Sequence, residues 1–156
     1  MRRSLGLLTL GLLVVVGLAA CGDSGGVSAD GDAAGGGDQV GSPVGSWTVT
    51  SYPSAGALVG VVDGTSPSLE FLEDGTVVGF TGCNRFNATW SGSGSELNIT
   101  PLATTKMACV DEAASAQEQA LVTTLPTVTS WRTTGEGAEL LDASGTTVVT
   151  LVAAGG

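Results

Sequence analysis

Three cysteines and two neighbouring cations are the residues in this chain whose types and spacing could do chemistry, and no histidine accompanies them. Without histidine the chain lacks the commonest general base and the commonest zinc ligand. No Ser-His-Asp arrangement can form either. Cys83 and Cys109 stand 26 residues apart, and two readings compete for them. A nucleophilic thiol would need a partner that favours the thiolate, and only Arg85 and Lys106 lie close in sequence. A disulfide needs only an oxidising compartment, where an even pair normally joins. Closing that loop contributes about 3.5 kcal/mol in the chain-entropy treatment. The expectation is a Cys83–Cys109 disulfide.

Cys21 belongs to different chemistry. It closes the run Leu18-Ala19-Ala20-Cys21, after Arg2, Arg3 and an apolar stretch over residues 5–20. That is a secretory signal peptide whose small-residue cleavage site ends in a cysteine, a lipobox. The apolar run is short for a membrane span, which needs roughly 20 residues. Cys21 is therefore expected to become a lipid-modified N-terminus, holding the protein outside the cytoplasm on the cell membrane.

The polar candidates are fewer. Asn84 and Arg85 sit in an apolar neighbourhood and form the candidate binding pair, since a guanidinium can grip a carboxylate or phosphate. The competing account is structural: Asn84 caps a turn and Arg85 pairs with an acid, with Glu118 the first to test. Glu70, Glu73 and Asp74 fall on a hairpin and its turn, too close together to flank a glycosidase cleft. Asp23, Asp30, Asp32 and Asp38 lack the bidentate glutamate of a calcium loop. No catalytic residue, metal or cofactor is expected.

The elements that must position these residues follow from composition. Residues 22–42 hold eight glycines, four aspartates and only two large apolar residues, Val27 and Val40. Such a segment reads as a flexible tether, with an r.m.s. span of roughly 25 Å. Loss of residues 1–20 leaves Arg85, Lys106 and Arg132 against 15 acidic residues. That balance excludes nucleic acid, whose affinity rests on Lys and Arg. It also excludes charge-driven adhesion to anionic lipid, so attachment rests on the acyl chains.

Residues 43–154 suffice for one domain. Alternation predicts strands over 46–50, 68–71, 76–81, 87–90, 96–99, 127–133, 138–141 and 146–152. Asp74-Gly75 marks a tight hairpin. One helix is predicted over 111–125, opened by Asp111 and Glu112 and stopped by Pro126. Two faces compete for burial, Ala114-Glu118-Leu121-Leu125 and Ala113-Ala116-Ala120-Leu121. The fold class is mainly β (α+β): a small curved antiparallel sheet or cracked barrel with one helix and one disulfide.

Several motifs together resemble the META domain, the HslJ-like family. They are Gly82-Cys83-Asn84-Arg85-Phe86 after the "LEFLEDGTVVG" hairpin, Thr105-Lys106-Met107-Ala108-Cys109, Glu118-Gln119-Ala120-Leu121 on the helix, Trp47 after Gly45, and the terminal "AELLDASGTTVVTL". The resemblance implies a small curved antiparallel β fold with a helix. It also implies an exported lipoprotein, in a family linked to heat induction, antibiotic tolerance and, in a eukaryotic relative, virulence and secretion. That relative resembles lipid-binding secretion pilotins. No reaction is implied. The expected function is a non-catalytic envelope binding or stress-related module, its partner a hydrophobic ligand or an envelope protein. The alternatives are a structural, stress-protective protein without ligand and, last, a hydrolase. An open apolar cavity would favour a carried ligand, and a filled core the structural reading.

Overall fold

The strand residues alternate because one face of each strand must meet a shared apolar interior. The computed structural model describes residues 41–135 and 137–155, so Cys21, the signal segment and nearly all of the tether lie outside the described residues. The ten strands are β1 (Gly45–Ser54), β2 (Ala57–Gly60), β3 (Ser68–Phe71), β4 (Thr76–Phe80), β5 (Arg85–Ser91), β6 (Asn98–Ile99), β7 (Ala103–Thr104), β8 (Val128–Thr133), β9 (Ala138–Asp142) and β10 (Thr147–Ala153). A helix, α1 (Glu112–Thr124), lies between β7 and β8 and runs into a short 3₁₀ turn at Leu125–Thr127.

All pairings are antiparallel, in the order β6-β5-β4-β3-β1-β10-β9-β8, with β2 added to β1 and β7 to β5. The two ends of that order then meet. Leu97 N donates to Thr129 O at 3.1 Å and Trp131 N to Ser95 O at 2.9 Å. The result is a nearly closed barrel, the form that removes most exposed strand edges. The second hairpin therefore differs from expectation. Residues 96–97 leave β5 to meet β8, and only Asn98 and Ile99 pair with it.

The interior is filled. Val49, Leu69, Phe71, Val77, Phe86, Leu97, Trp131, Leu140, Val149 and Leu151 are buried in one cluster, with Leu121 and Leu125 inserted from the helix side. Each tryptophan has its apolar body packed and its N–H satisfied, as burial demands. Trp131 donates to Gly94 O at 2.9 Å, Trp90 to Leu72 O at 2.9 Å and Trp47 to Pro43 O at 2.8 Å. Phe71 meets Trp90 edge to face, with ring centres 5.8 Å apart. Gly79 stands opposite Phe86, and a Cβ there would fall 2.7 Å from the Phe86 ring. Glycine at that strand position is what lets the ring fold across the sheet.

The helix starts where expected, with Asp111 Oδ1 accepting from Ala114 N at 2.7 Å. It buries Ala114, Gln117 and Leu121, and the turn after it buries Leu125; this is the first of the two predicted faces, with Glu118 half-buried and an amide, Gln117, at the centre. Ala113 and Ala116 are exposed. Gln117 was absent from both predicted stripes because glutamine carries no apolar signal. Among the described residues no helix is long and apolar enough to cross a membrane.

Two hairpin turns are held by carboxylates. The Thr76 backbone N–H, with help from the Thr76 side chain, keeps Asp74 below the ordinary aspartate range; the Ser144 hydroxyl and then the Thr146 N–H do so for Asp142. Both folded-state values are depressed, so this stabilisation is present above the unfolded aspartate pKa of about 4 and is lost as pH falls through the folded values. Melting temperature followed from about pH 5 to about pH 3 should therefore fall less steeply for Asp74→Asn/Asp142→Asn than for the native chain. Parallel acid limbs would place the acid sensitivity elsewhere.

Candidate functional site

Gly82, Cys83 and Asn84 turn the chain from β4 into β5, and the turn is built by Thr81. Its hydroxyl accepts from Asn84 N at 3.0 Å, while Thr81 N donates to Asn84 O at 2.9 Å. Gly82 adopts a positive φ of 99°, and a Cβ there would lie 2.2 Å from Gln117 Nε2. Both facts require glycine. The capping role expected of Asn84 thus falls to Thr81, which frees the Asn84 side chain for another task.

Asn84 is 2% exposed and ties three segments together. Its Oδ1 accepts from Thr105 Oγ1 at 2.7 Å and from Met107 N at 2.9 Å. Its Nδ2 donates to Met107 O at 3.0 Å and to Glu118 Oε2 at 2.8 Å, and lies 3.3 Å from Cys83 Sγ. The side chain is fully used, as a buried amide must be. It clamps the 105–107 segment to β5 and both to α1.

The Cys83–Cys109 disulfide is present beside this clamp, with Cα atoms 5.5 Å apart. Glu118 Oε2 lies 3.3 Å from Cys109 Sγ. Both sulfurs and a Glu118 oxygen lie within 4.8 Å of one another. The expected Arg85–Glu118 pair does not form: Glu118 is occupied by Asn84, and Arg85, at the start of β5, is exposed. The strand register explains this. Consecutive strand residues point to opposite faces, so with Asn84 turned inward Arg85 must turn outward. The salt bridge found among the described residues joins Arg132 to Glu139 across β8 and β9.

Between the clamped segment and α1 runs an open groove of about 500 Å³, bordered by Thr105, Lys106, Met107, Glu118, Gln119 and Val122. Met107 is 64% exposed and Val110 fully so. Asn84 lines the groove but spends its polar atoms internally, so of the candidate binding pair it is a scaffold. Arg85 borders smaller hollows with Asn87 and Thr104. Nothing in the sequence marks Met107 or Val110 as exposed, since the type of an apolar residue does not tell surface from interior.

A curled antiparallel barrel with one helix, stapled between the β4–β5 turn and the segment before that helix, defines a small β-barrel domain class. The chain belongs to the META domain family, whose match covers residues 42–155. It is also similar to a solved structure, the NMR structure of a protein from Burkholderia xenovorans. Identity there is 22%, over 69% of this chain and 80% of that one, with a TM-score of 0.55. At that identity the likeness speaks for the fold. No curated protein matches the chain significantly.

Asn84→Ala removes four part-buried hydrogen bonds at once, each contributing about 0.5–1.5 kcal/mol net. Asn84→Ala should lower unfolding free energy by about 2–4 kcal/mol in denaturant titration, whereas exposed Arg85→Ala should stay within about 0.5 kcal/mol. Equal losses for the two would remove the distinction drawn between scaffold and surface.

Proposed function

We propose that this protein is an exported lipoprotein, anchored through Cys21, that presents the META domain in the cell envelope as a non-catalytic binding module for another envelope protein. The observation that carries the reading is the pairing of a filled barrel interior with an apolar, rigidly held surface loop. Trp131, Phe71, Leu69, Leu97 and Leu140 occupy the space a carried lipid would need. Binding is then assigned to the outside, where exposed Met107 lines the groove and Val110, next to Cys109, is fully exposed. The disulfide and Asn84 hold that loop in one conformation, so a partner need not order it on binding.

The non-catalytic part rests on chemistry. The groove offers Lys106 and Glu118 as its charged residues, and Glu118 is engaged by Asn84. Convergent acid, base and nucleophile are what an active site needs. The anchor rests on the lipobox at Cys21 and the Gly/Asp-rich residues that follow it. The filled interior also favours the second reading, a stress-protective envelope protein that binds nothing.

The mature protein should show the mass of a chain starting at Cys21 plus acyl chains, and Cys21→Ser should retain residues 1–20 and lose that added mass. In cells, a photo-crosslinking residue at Val110 should capture one discrete protein, and Met107→Asp should abolish the adduct. The same probe at exposed Ala143, in the β9–β10 turn, should stay silent. Equal labelling at 110 and 143, or none at either, would leave the ligand-free reading standing. A lipid-sized mass retained by the native domain would overturn the surface assignment.

A further inference from the structure

The disulfide is surrounded by more polar structure than a staple requires. A carboxylate, Glu118, stands 3.3 Å from Cys109 Sγ, and Asn84 Nδ2 reaches both Glu118 Oε2, at 2.8 Å, and Cys83 Sγ, at 3.3 Å. The two sulfurs and a Glu118 oxygen share a sphere less than 5 Å across, each atom within 4.8 Å of the others. Two thiolates and a carboxylate are a donor set for a thiophilic d¹⁰ cation. Such ligands are commonly oriented by a hydrogen-bonding neighbour, and Asn84 already holds that place.

We propose that, once the Cys83–Cys109 bond is reduced, Cys83, Cys109 and Glu118 bind one zinc ion, with a fourth position left to solvent. The reductant is a dithiol. One of its thiolates attacks a sulfur of the disulfide and expels the other cysteine, which takes up a proton. Its second thiol then displaces the mixed disulfide, leaving two cysteine thiols and a cyclic disulfide. Zinc binding releases the two thiol protons, and Glu118 coordinates as its carboxylate.

The fold keeps these ligands together without the covalent bond. Met107, two residues before Cys109, is held to Asn84 through both its N–H and its carbonyl. Asp111, two residues after it, caps α1. Cys109 is thus bracketed between two anchored points, while Cys83 precedes Asn84 directly. Glu118 is fixed on the helix that Asp111 opens. Reduction separates the sulfurs by a small movement and leaves the cradle in place.

The test uses the full chain with Cys21→Ser, so that Cys83 and Cys109 are the only thiols. It is reduced with a water-soluble phosphine and freed of reductant under nitrogen. Zinc uptake is read by competition with a chromophoric chelator, and cobalt substitution by its sulfur-to-metal charge-transfer band. The expected result is one zinc per reduced chain, none for the oxidised chain, and the thiolate band with cobalt. Glu118→Gln keeps an acceptor for Asn84 and should weaken zinc binding tenfold or more. Unchanged affinity in Glu118→Gln would overturn the three-ligand assignment. Absence of stoichiometric uptake would overturn the site. So would loss of the near-ultraviolet tryptophan dichroism on reduction, because the cradle depends on the native fold.

Discussion

Two buried carboxamides, Gln117 and Asn84, set the terms on which the helix and the barrel meet. An amide removed from water costs several kcal/mol unless its hydrogen bonds are replaced. Gln117 is fully buried and replaces them all. Its Oε1 accepts from Val62 N at 2.7 Å, and its Nε2 donates to Thr65 Oγ1 at 3.1 Å and Thr81 O at 2.9 Å. These partners come from the loop after β2 and from the end of β4. The helix can sit only where both are in reach. An apolar side chain there would tolerate sliding and rotation, whereas a satisfied amide specifies one position. Gly82 follows from the same constraint, since its missing Cβ makes room for Gln117 Nε2.

Asn84 extends that constraint one step outward. Where Gln117 fixes the helix, Asn84 fixes the segment leading into it, and Thr81 links the two residues, its carbonyl accepting from Gln117 Nε2 and its hydroxyl from Asn84 N. The disulfide acts on the same segment by a different route. Hydrogen bonds favour the native arrangement directly, while the covalent link acts mainly by restricting the unfolded chain. The two devices are therefore not redundant. Removing the covalent link raises unfolded-state entropy but leaves the local geometry specified by Asn84, Thr105 and Met107.

Period-two alternation made most of the barrel legible in the sequence. Leu69 and Phe71, Val77, Ala88, and Val149 and Leu151 all face inward as their spacing requires. The Asp74-Gly75 turn and the Asp111 cap were legible for the same reason: each is a local preference that tertiary context did not oppose. Short strands were not. β2 is largely exposed, with Leu58 among the exposed apolar residues, and β7 is two residues long. Neither carries an alternating signal. Barrel closure through residues 95–97 was invisible because it rests on backbone pairing across more than thirty residues of intervening chain, about which composition is silent. At the site, the Cys83–Cys109 bond was readable from cysteine parity. The partner of Glu118 was not, because charge suggested Arg85 and only the strand's two-sided geometry turns that side chain away.

A filled interior changes what exposed apolar residues mean on this molecule. Single apolar side chains at a protein surface are ordinary, and Val44 and Leu58 need no account. Met107 and Val110 differ in their support rather than their hydrophobicity. They flank a cysteine fixed by a disulfide, and Met107 has both backbone polar groups bound to one buried amide. A flexible loop could fold such side chains back onto the domain. A clamped one leaves them in water, and keeps low the ordering cost of a contact made there. Acidic residues outnumber basic ones, and of the domain's cations Arg132 pairs with Glu139 while Arg85 and Lys106 border hollows beside Thr105.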